Sequence, residues 1–223
     1  MTKLVFAILP TVGGKAREEY IAKLTATSAY SKANEPGVLT YAVCLPRDET
    51  DQKTVYMIEA YSDQAAFDAH MKIEKVQDMI QWMGANPVLE AAPTVLELDV
   101  VEDFGLFTRG DAIQSAKDPH IVFGEVSYKD ADLAEKSLAH WAKVVQTTKN
   151  DEPGSLVYAL TRSNTNPATL YTFEAYTSKD YLWDVHAKSQ AVQDNVKETS
   201  DWRAGLKHHV LKQVDGFLAR AKI

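Results

Sequence analysis

Glu35-Pro36-Gly37-Val38-Leu39-Thr40-Tyr41-Ala42 returns later in the chain as Glu152-Pro153-Gly154-Ser155-Leu156-Val157-Tyr158-Ala159. In each copy the proline presets its backbone angle and the glycine accepts positive φ, so Glu-Pro-Gly reads as a turn that feeds a strand. Upstream, Lys3-Leu4-Val5-Phe6-Ala7-Ile8-Leu9 returns as His120-Ile121-Val122-Phe123-Gly124-Glu125-Val126, at the same interval that separates residue 35 from residue 152. Downstream, Glu59-Ala60-Tyr61 matches Glu174-Ala175-Tyr176, His70 matches His186, and Val76-Gln77-Asp78 matches Val192-Gln193-Asp194, with the interval drifting by one or two residues. A period this long exceeds any solenoid unit and suits a whole small domain.

Around each turn the hydrophobic pattern predicts the same elements. A short apolar strand (4–9) ends at Pro10 and Gly13-Gly14, and a helix over 15–32 carries Tyr20, Ile21, Leu24 and Ser28 on one face. Strands follow over 38–44 and 53–61. Ser62 or Asp63 caps a helix running to about Met83, and a last strand covers 94–101. The second half repeats the order, with helices near 132–148 and 178–196 and a last strand near 207–214. Strand, helix, strand, strand, helix, strand is the ferredoxin-like split βαβ arrangement, an antiparallel sheet with both helices on one face. The other sheet face is apolar as well and needs a cover, for which the other half's sheet is the obvious candidate. The expected fold is therefore α+β, two tandem ferredoxin-like (βαββαβ) domains with sheets packed face to face as a pseudo-dimeric α/β barrel. The expected boundaries are residues 1–101 and 119–214, with a linker over 102–118 and a tail over 215–223.

The 223 residues carry 45% hydrophobic and 25% charged side chains, an ordinary globular composition. A formal net charge of −7 without clustered Lys or Arg argues against a nucleic-acid partner. The single cysteine, Cys44, excludes an internal disulfide and suits a reducing compartment. The apolar start is too short for a signal segment, and its recurrence marks it as a core strand; no run reaches membrane-spanning length. A cytoplasmic protein without a membrane partner is expected. Neither half holds a His-x-x-x-His pair or a cysteine cluster, and the adjacent His208 and His209 on a strand point to opposite faces, so no metal site is expected. No dinucleotide fingerprint and no Gly-x-Ser-x-Gly elbow is present.

The Glu35-Pro36-Gly37 turn, the strand ending Glu59-Ala60-Tyr61, and Phe67-Asp68-Ala69-His70 together resemble the antibiotic-biosynthesis monooxygenase family of dimeric α+β barrels. Its usual pattern is a Glu-Pro-Gly turn, a strand ending Glu-x-Trp, and a helix with Phe-x-x-His. The second half matches through Glu152-Pro153-Gly154, Glu174-Ala175-Tyr176 and Trp183-Asp184-Val185-His186. The resemblance implies a tandem fusion with a pocket between sheet and helices in each half, an intramolecular pseudo-dimer whose further self-association is left open. It does not fix the reaction, because the family spans quinone-forming oxygenases, haem-degrading enzymes and proteins of other roles. Quinone-forming members carry Asn and Trp four apart on the third strand, where this chain has Met57 and Tyr61, and Thr172 and Tyr176. The histidine ligand and Asn of haem-degrading members correspond here to Ile80 and Val196, and to Ala7 and Gly124, so the haem reading is poor.

Alternation places Met57, Glu59 and Tyr61 on one strand face and Thr172, Glu174 and Tyr176 on its repeat. In the family this is the pocket side, so these six residues, with Phe67 and Trp183, are the candidate substrate-binding set. A carboxylate and a phenol there can equally be a satisfied buried acid and a core tyrosine. His70 and His186 are the candidate catalytic residues, since imidazole suits proton transfer near neutral pH; a hydrogen-bonded core histidine is the competing reading. The resemblance then implies a cofactor-independent monooxygenase or oxidase of a phenolic or polyketide-like aromatic, whose partners are that small substrate and O2. A non-oxidative isomerase or cyclase, or a non-catalytic ligand-binding or stress-response barrel, are the alternatives.

Overall fold

The computed structural model describes residues 1–102 and 104–220; Asp103 of the expected linker and residues 221–223 of the expected tail lie outside the described residues. The first half runs β1 (Lys3–Pro10), α1 (Gly14–Asn34), β2 (Val38–Pro46), β3 (Thr54–Tyr61), α2 (Gln64–His70), α3 (Glu74–Ala85) and β4 (Thr94–Val100). The stretch expected as a linker holds β5 (Leu106–Thr108) and α4 (Gly110–Ser115), both too short to leave a periodic signal. The second half runs β6 (His120–Tyr128), α5 (Ala131–Asp151), β7 (Ser155–Arg162), β8 (Thr169–Tyr176), α6 (Lys179–Tyr181), a π turn (Leu182–His186), α7 (Gln190–Thr199), a 3-10 turn (Ser200–Trp202) and β9 (Arg203–Phe217). This is an α+β chain with the ferredoxin-like order of elements given twice.

The chain divides into two compact units, Met1–Glu97 joined by the stretch from Lys212, and Leu98–Leu211. It changes unit inside β4 and again inside β9. The strand order is β4-β1-β3-β2-β9 in the first unit and β9-β6-β8-β7-β5 in the second, where β4 also pairs with β7. That exchange is why β9 runs through 203–217, well beyond the 207–214 that alternation suggests.

In the first unit α1 and α3 cover one sheet face. Tyr20 and Leu24 pack there with Val5, Ala7, Leu9, Tyr41, Val43, Val55, Met57 and Tyr61. In the second, Trp141, Val144 and Val145 of α5 pack on Val126, Tyr128, Tyr158, Leu160 and Leu170. The register repeats: Glu59 lies opposite Val5 and Tyr41, and Glu174 lies opposite Val122 and Tyr158. A bulge follows each Glu-Pro-Gly turn, between Val38 and Thr40 and between Ser155 and Val157. One extra residue reverses the alternation, so Val38 and then Tyr41 both reach the helix side.

Two features differ from the sequence expectation. Gly37 and Gly154 are not at positive φ; their absent side chains make room instead. A Cβ on Gly37 would sit 2.7 Å from Ala66 Cβ, and one on Gly154 would enter the Tyr181 ring. The expected single helix over 63–83 is also broken, between His70 and Glu74, and likewise between His186 and Gln190. At each break an extended residue, Ile73 or Ser189, stands before the next helix. The carbonyl this frees is satisfied by a repeated glutamine: Gln77 Nε2 donates to the Met71 carbonyl at 2.6 Å and Gln193 Nε2 to that of Ala187 at 2.5 Å. That is the role of the Val-Gln-Asp repeat.

Candidate active site

Each Glu-Pro-Gly turn lies directly beyond the end of a long helix, and its glutamate side chain reaches the histidine at the break described above. Glu35 Oε2 lies 3.0 Å from His70 Nδ1 and Glu152 Oε2 lies 2.8 Å from His186 Nδ1, with all four side chains largely or wholly buried. A carboxylate on Nδ1 fixes the ring as the tautomer that donates from Nδ1, which leaves Nε2 as the acceptor. The second unit ties its pair more tightly. Ser155 Oγ donates to Glu152 Oε2 at 3.0 Å and Thr148 Oγ1 lies 3.4 Å from His186 Nδ1. Glu152 Oε1 is buried with no hydrogen-bond partner among the described residues.

Two tyrosine rings flank each imidazole. Tyr41 and Tyr61 stand 5.8 and 5.4 Å from His70 between ring centres, and Tyr158 and Tyr176 stand 5.5 and 5.2 Å from His186. On the neighbouring strand position, Tyr61 donates to Glu59 at 2.5 Å and Tyr176 donates to Glu174 at 2.7 Å. Burial pushes all four phenols well above their ordinary range, and the nearby Glu59 or Glu174 charge adds to the shift. These tyrosines are donors, not bases. Burial likewise raises the Glu59 carboxyl; the Glu35 charge adds to the rise, while His70 and the Tyr61 hydrogen bond oppose it.

A carboxyl whose folded pKa lies above its unfolded value keeps its proton longer in the native state, so stability falls as pH rises through that window and stays lower above it. Glu59→Gln should therefore raise the melting temperature at neutral pH, and the gain over wild type should shrink as pH is lowered towards about 4, the unfolded carboxylate range. Thermal melts of both proteins from acid to neutral pH check this; a gain that does not change with pH would contradict it.

The expected site residues do not all converge. Glu59, Tyr61, Phe67 and His70 gather, with the Phe67 ring 5.3 Å from Tyr61, and Glu174, Tyr176 and His186 gather likewise. Met57 and Thr172 are buried one pleat further along the same face. Trp183 stands apart, 55% exposed. The π turn explains it: Ala187 N–H bonds the Leu182 carbonyl at 2.8 Å, which accommodates one more residue between tyrosine and histidine than the first half has. The extra residue rotates Trp183 outwards, and Tyr181 stacks on Tyr176 instead, 6.5 Å between centres. Sequence reasoning missed Glu35, Glu152, Tyr41 and Tyr158. The signal was present, because all four belong to the repeated turn and strand that define the fold.

Among the described residues no group of three or more His, Cys, Asp or Glu side chains could hold a metal ion, and no helix is long and apolar enough to cross a membrane.

Each half of the duplicated ferredoxin-like scaffold thus holds one buried acid–imidazole pair. The family profile of antibiotic biosynthesis monooxygenases matches residues 9–82 and again 119–198, and the chain belongs to that family. A structure from Lactobacillus acidophilus NCFM, provisionally named a monooxygenase, is similar over 100% of this chain and 99% of its own, with TM-score 0.81 and 21% identity. One from Fusobacterium nucleatum subsp. nucleatum ATCC 25586, named in the same way, covers 100% of this chain and 98% of its own, with TM-score 0.78 and 21% identity. An anthrone oxidase-like protein covers 96% and 91%, with TM-score 0.59 and 13% identity. At these identities the likeness is one of fold. No curated protein matches the chain.

Proposed function

We propose that the chain is a cofactor-independent oxygenase of a phenolic or polyketide-like aromatic with an activated methylene, using His70 and His186 as bases. The observation that carries the reading is the duplicated pair: a buried imidazole oriented by a carboxylate on Nδ1, with neutral phenols on both sides. A base fixed in this way accepts a proton at Nε2 without reorganising, and its carboxylate stabilises the imidazolium that forms. Met57, Glu59, Tyr61 and Phe67, and Thr172, Glu174 and Tyr176, would line the substrate. The Tyr61 and Tyr176 hydroxyls, whose protons go to Glu59 and Glu174, would accept from a substrate hydroxyl, and their raised pKa keeps them neutral beside the histidine.

The chemistry balances without a cofactor. Proton loss to histidine leaves an electron-rich anion, which passes one electron to O2, and the radical and superoxide recombine to a peroxide. The peroxide takes the imidazolium proton; the freed histidine then removes the second C–H proton as the O–O bond breaks, leaving a carbonyl and hydroxide, and the hydroxide takes that proton to become water. A dry cavity would hold the radical pair until it recombines. The test is turnover of a panel of phenols and anthrones under 18O2. One labelled oxygen in the product and one in water, with no turnover under nitrogen, is the expected result. Conversion that proceeds equally without oxygen would replace the reading with an isomerase or cyclase.

A further inference from the structure

The two turns that carry the acid–imidazole pairs are each held by an arginine. Arg109 Nε donates to the Ser155 carbonyl at 2.8 Å, and its Nη2 reaches those of Thr148, Lys149 and Glu152 at 3.3, 2.7 and 3.3 Å. Arg220 Nε donates to the Val38 carbonyl at 2.6 Å, Nη1 to that of Lys32 at 2.8 Å, and Nη2 to those of Ser31 and Glu35 at 2.8 and 2.5 Å. The two sets of acceptors are the same positions in the repeat. Each guanidinium also lies over a phenylalanine of its own segment, Arg109 over Phe107 at 5.2 Å and Arg220 over Phe217 at 5.3 Å. Phe107 in turn stacks on Tyr158, a neighbour of His186, and Phe217 packs in the cluster that contains Tyr41, a neighbour of His70.

The arrangement is reciprocal. Arg109 follows the first half of the sequence and belongs to the second unit, whereas Arg220 follows the second half and belongs to the first. We infer that Arg109 is the positioning residue of the Glu152–His186 pair and Arg220 that of the Glu35–His70 pair, so that each site is completed by the segment that ends the opposite half of the sequence. The physical case has two parts. The carbonyls of Lys32 and Lys149 have no helical partner, because the residues four further on, Pro36 and Pro153, carry no N–H, and a cation at a helix C-terminus is favourable. Of the side chains, only a guanidinium presents enough fixed donors to meet four carbonyls at once, and one of the four belongs to the glutamate whose carboxylate holds the imidazole. The clamp therefore fixes the backbone from which Glu35 or Glu152 extends. A plain helix cap would need neither the Glu nor the Val38 or Ser155 carbonyl.

The inference rests on reading the two pairs as the working bases, but its readout is the imidazole proton, so it can fail while that reading stands, and the reverse. The experiment uses the full chain with 15N-labelled histidine and follows the Nδ1 protons of His70 and His186. In Arg109→Ala the His186 proton should exchange with water about tenfold faster or more, with His70 unchanged, since local opening is what exchange reports. Arg220→Ala should give the mirror image. Arg109→Lys should not restore protection, and guanidinium ion added to Arg109→Ala should. If Arg109→Ala melts lower but keeps both protons protected, the arginine is a structural cap; if both protons are lost together, it supports the whole fold. Either result overturns the inference.

Discussion

His186→Ala should destabilise the protein by about 3–5 kcal/mol, the usual cost of leaving a buried carboxylate charge without its partner. Glu152 is 3% exposed at its side chain and already has one oxygen without a partner, so removing Nδ1 leaves it only Ser155. His186→Asn should recover most of that loss, because the amide N–H falls near the place of Nδ1 and donates to the same carboxylate. Urea denaturation of the two variants measures the difference. Equal stability of His186→Ala and wild type would mean that Glu152 is solvated or neutral and that the pair is not the one described. His70→Ala should cost less, since Glu35 is more exposed, at 12% of its side chain.

Gly216→Ala should be nearly as damaging. Gly216 has φ +87°, a region that side chains avoid, and an added Cβ would lie 2.0 Å from the Tyr41 carbonyl oxygen. Backbone cannot yield as a flexible side chain can. Strain at such φ alone costs about 1–3 kcal/mol, and the overlap brings the expected loss to about 4 kcal/mol, at the upper end for single substitutions. Denaturant midpoints check it. The same substitution at Gly84, which meets nothing within 4 Å, is the control and should be neutral or slightly stabilising. A Gly216→Ala protein as stable as that control would mean that this segment does not dock as described.

The repeat made the fold legible. Two copies of one hydrophobic pattern, each opened by an apolar strand and punctuated by Glu-Pro-Gly, specify the order of elements without long-range information. What the pattern could not carry was set by tertiary contact. The bulge that turns Tyr41 and Tyr158 to the helix side leaves no mark in the alternation, and the exchange of β4 and β9 between units follows from pairing, not propensity. The site was half legible. His70 and His186 stand out by chemistry, but their glutamate partners look like turn residues in the sequence, because proline and glycine alone account for a turn. Trp183 was placed by counting back from His186, which fails where a π turn holds an extra residue. The arginines were hidden because they lie outside the aligned repeat, and their spacing from the preceding phenylalanine differs, Phe107 to Arg109 against Phe217 to Arg220.

The proposed role of His70 and His186 as bases, each oriented by its own glutamate, is decided by oxygen uptake with a turned-over phenol or anthrone, compared among wild type, His70→Asn, His186→Asn and the double variant, all at matched folded concentration. Asparagine keeps the hydrogen bond to the glutamate and removes the proton acceptor, so stability and catalysis separate. Each single variant should lose the contribution of its own half, and the double variant should fall by about 10²- to 10⁴-fold, the range for a lost general base. A double variant that is folded and retains wild-type uptake would contradict it.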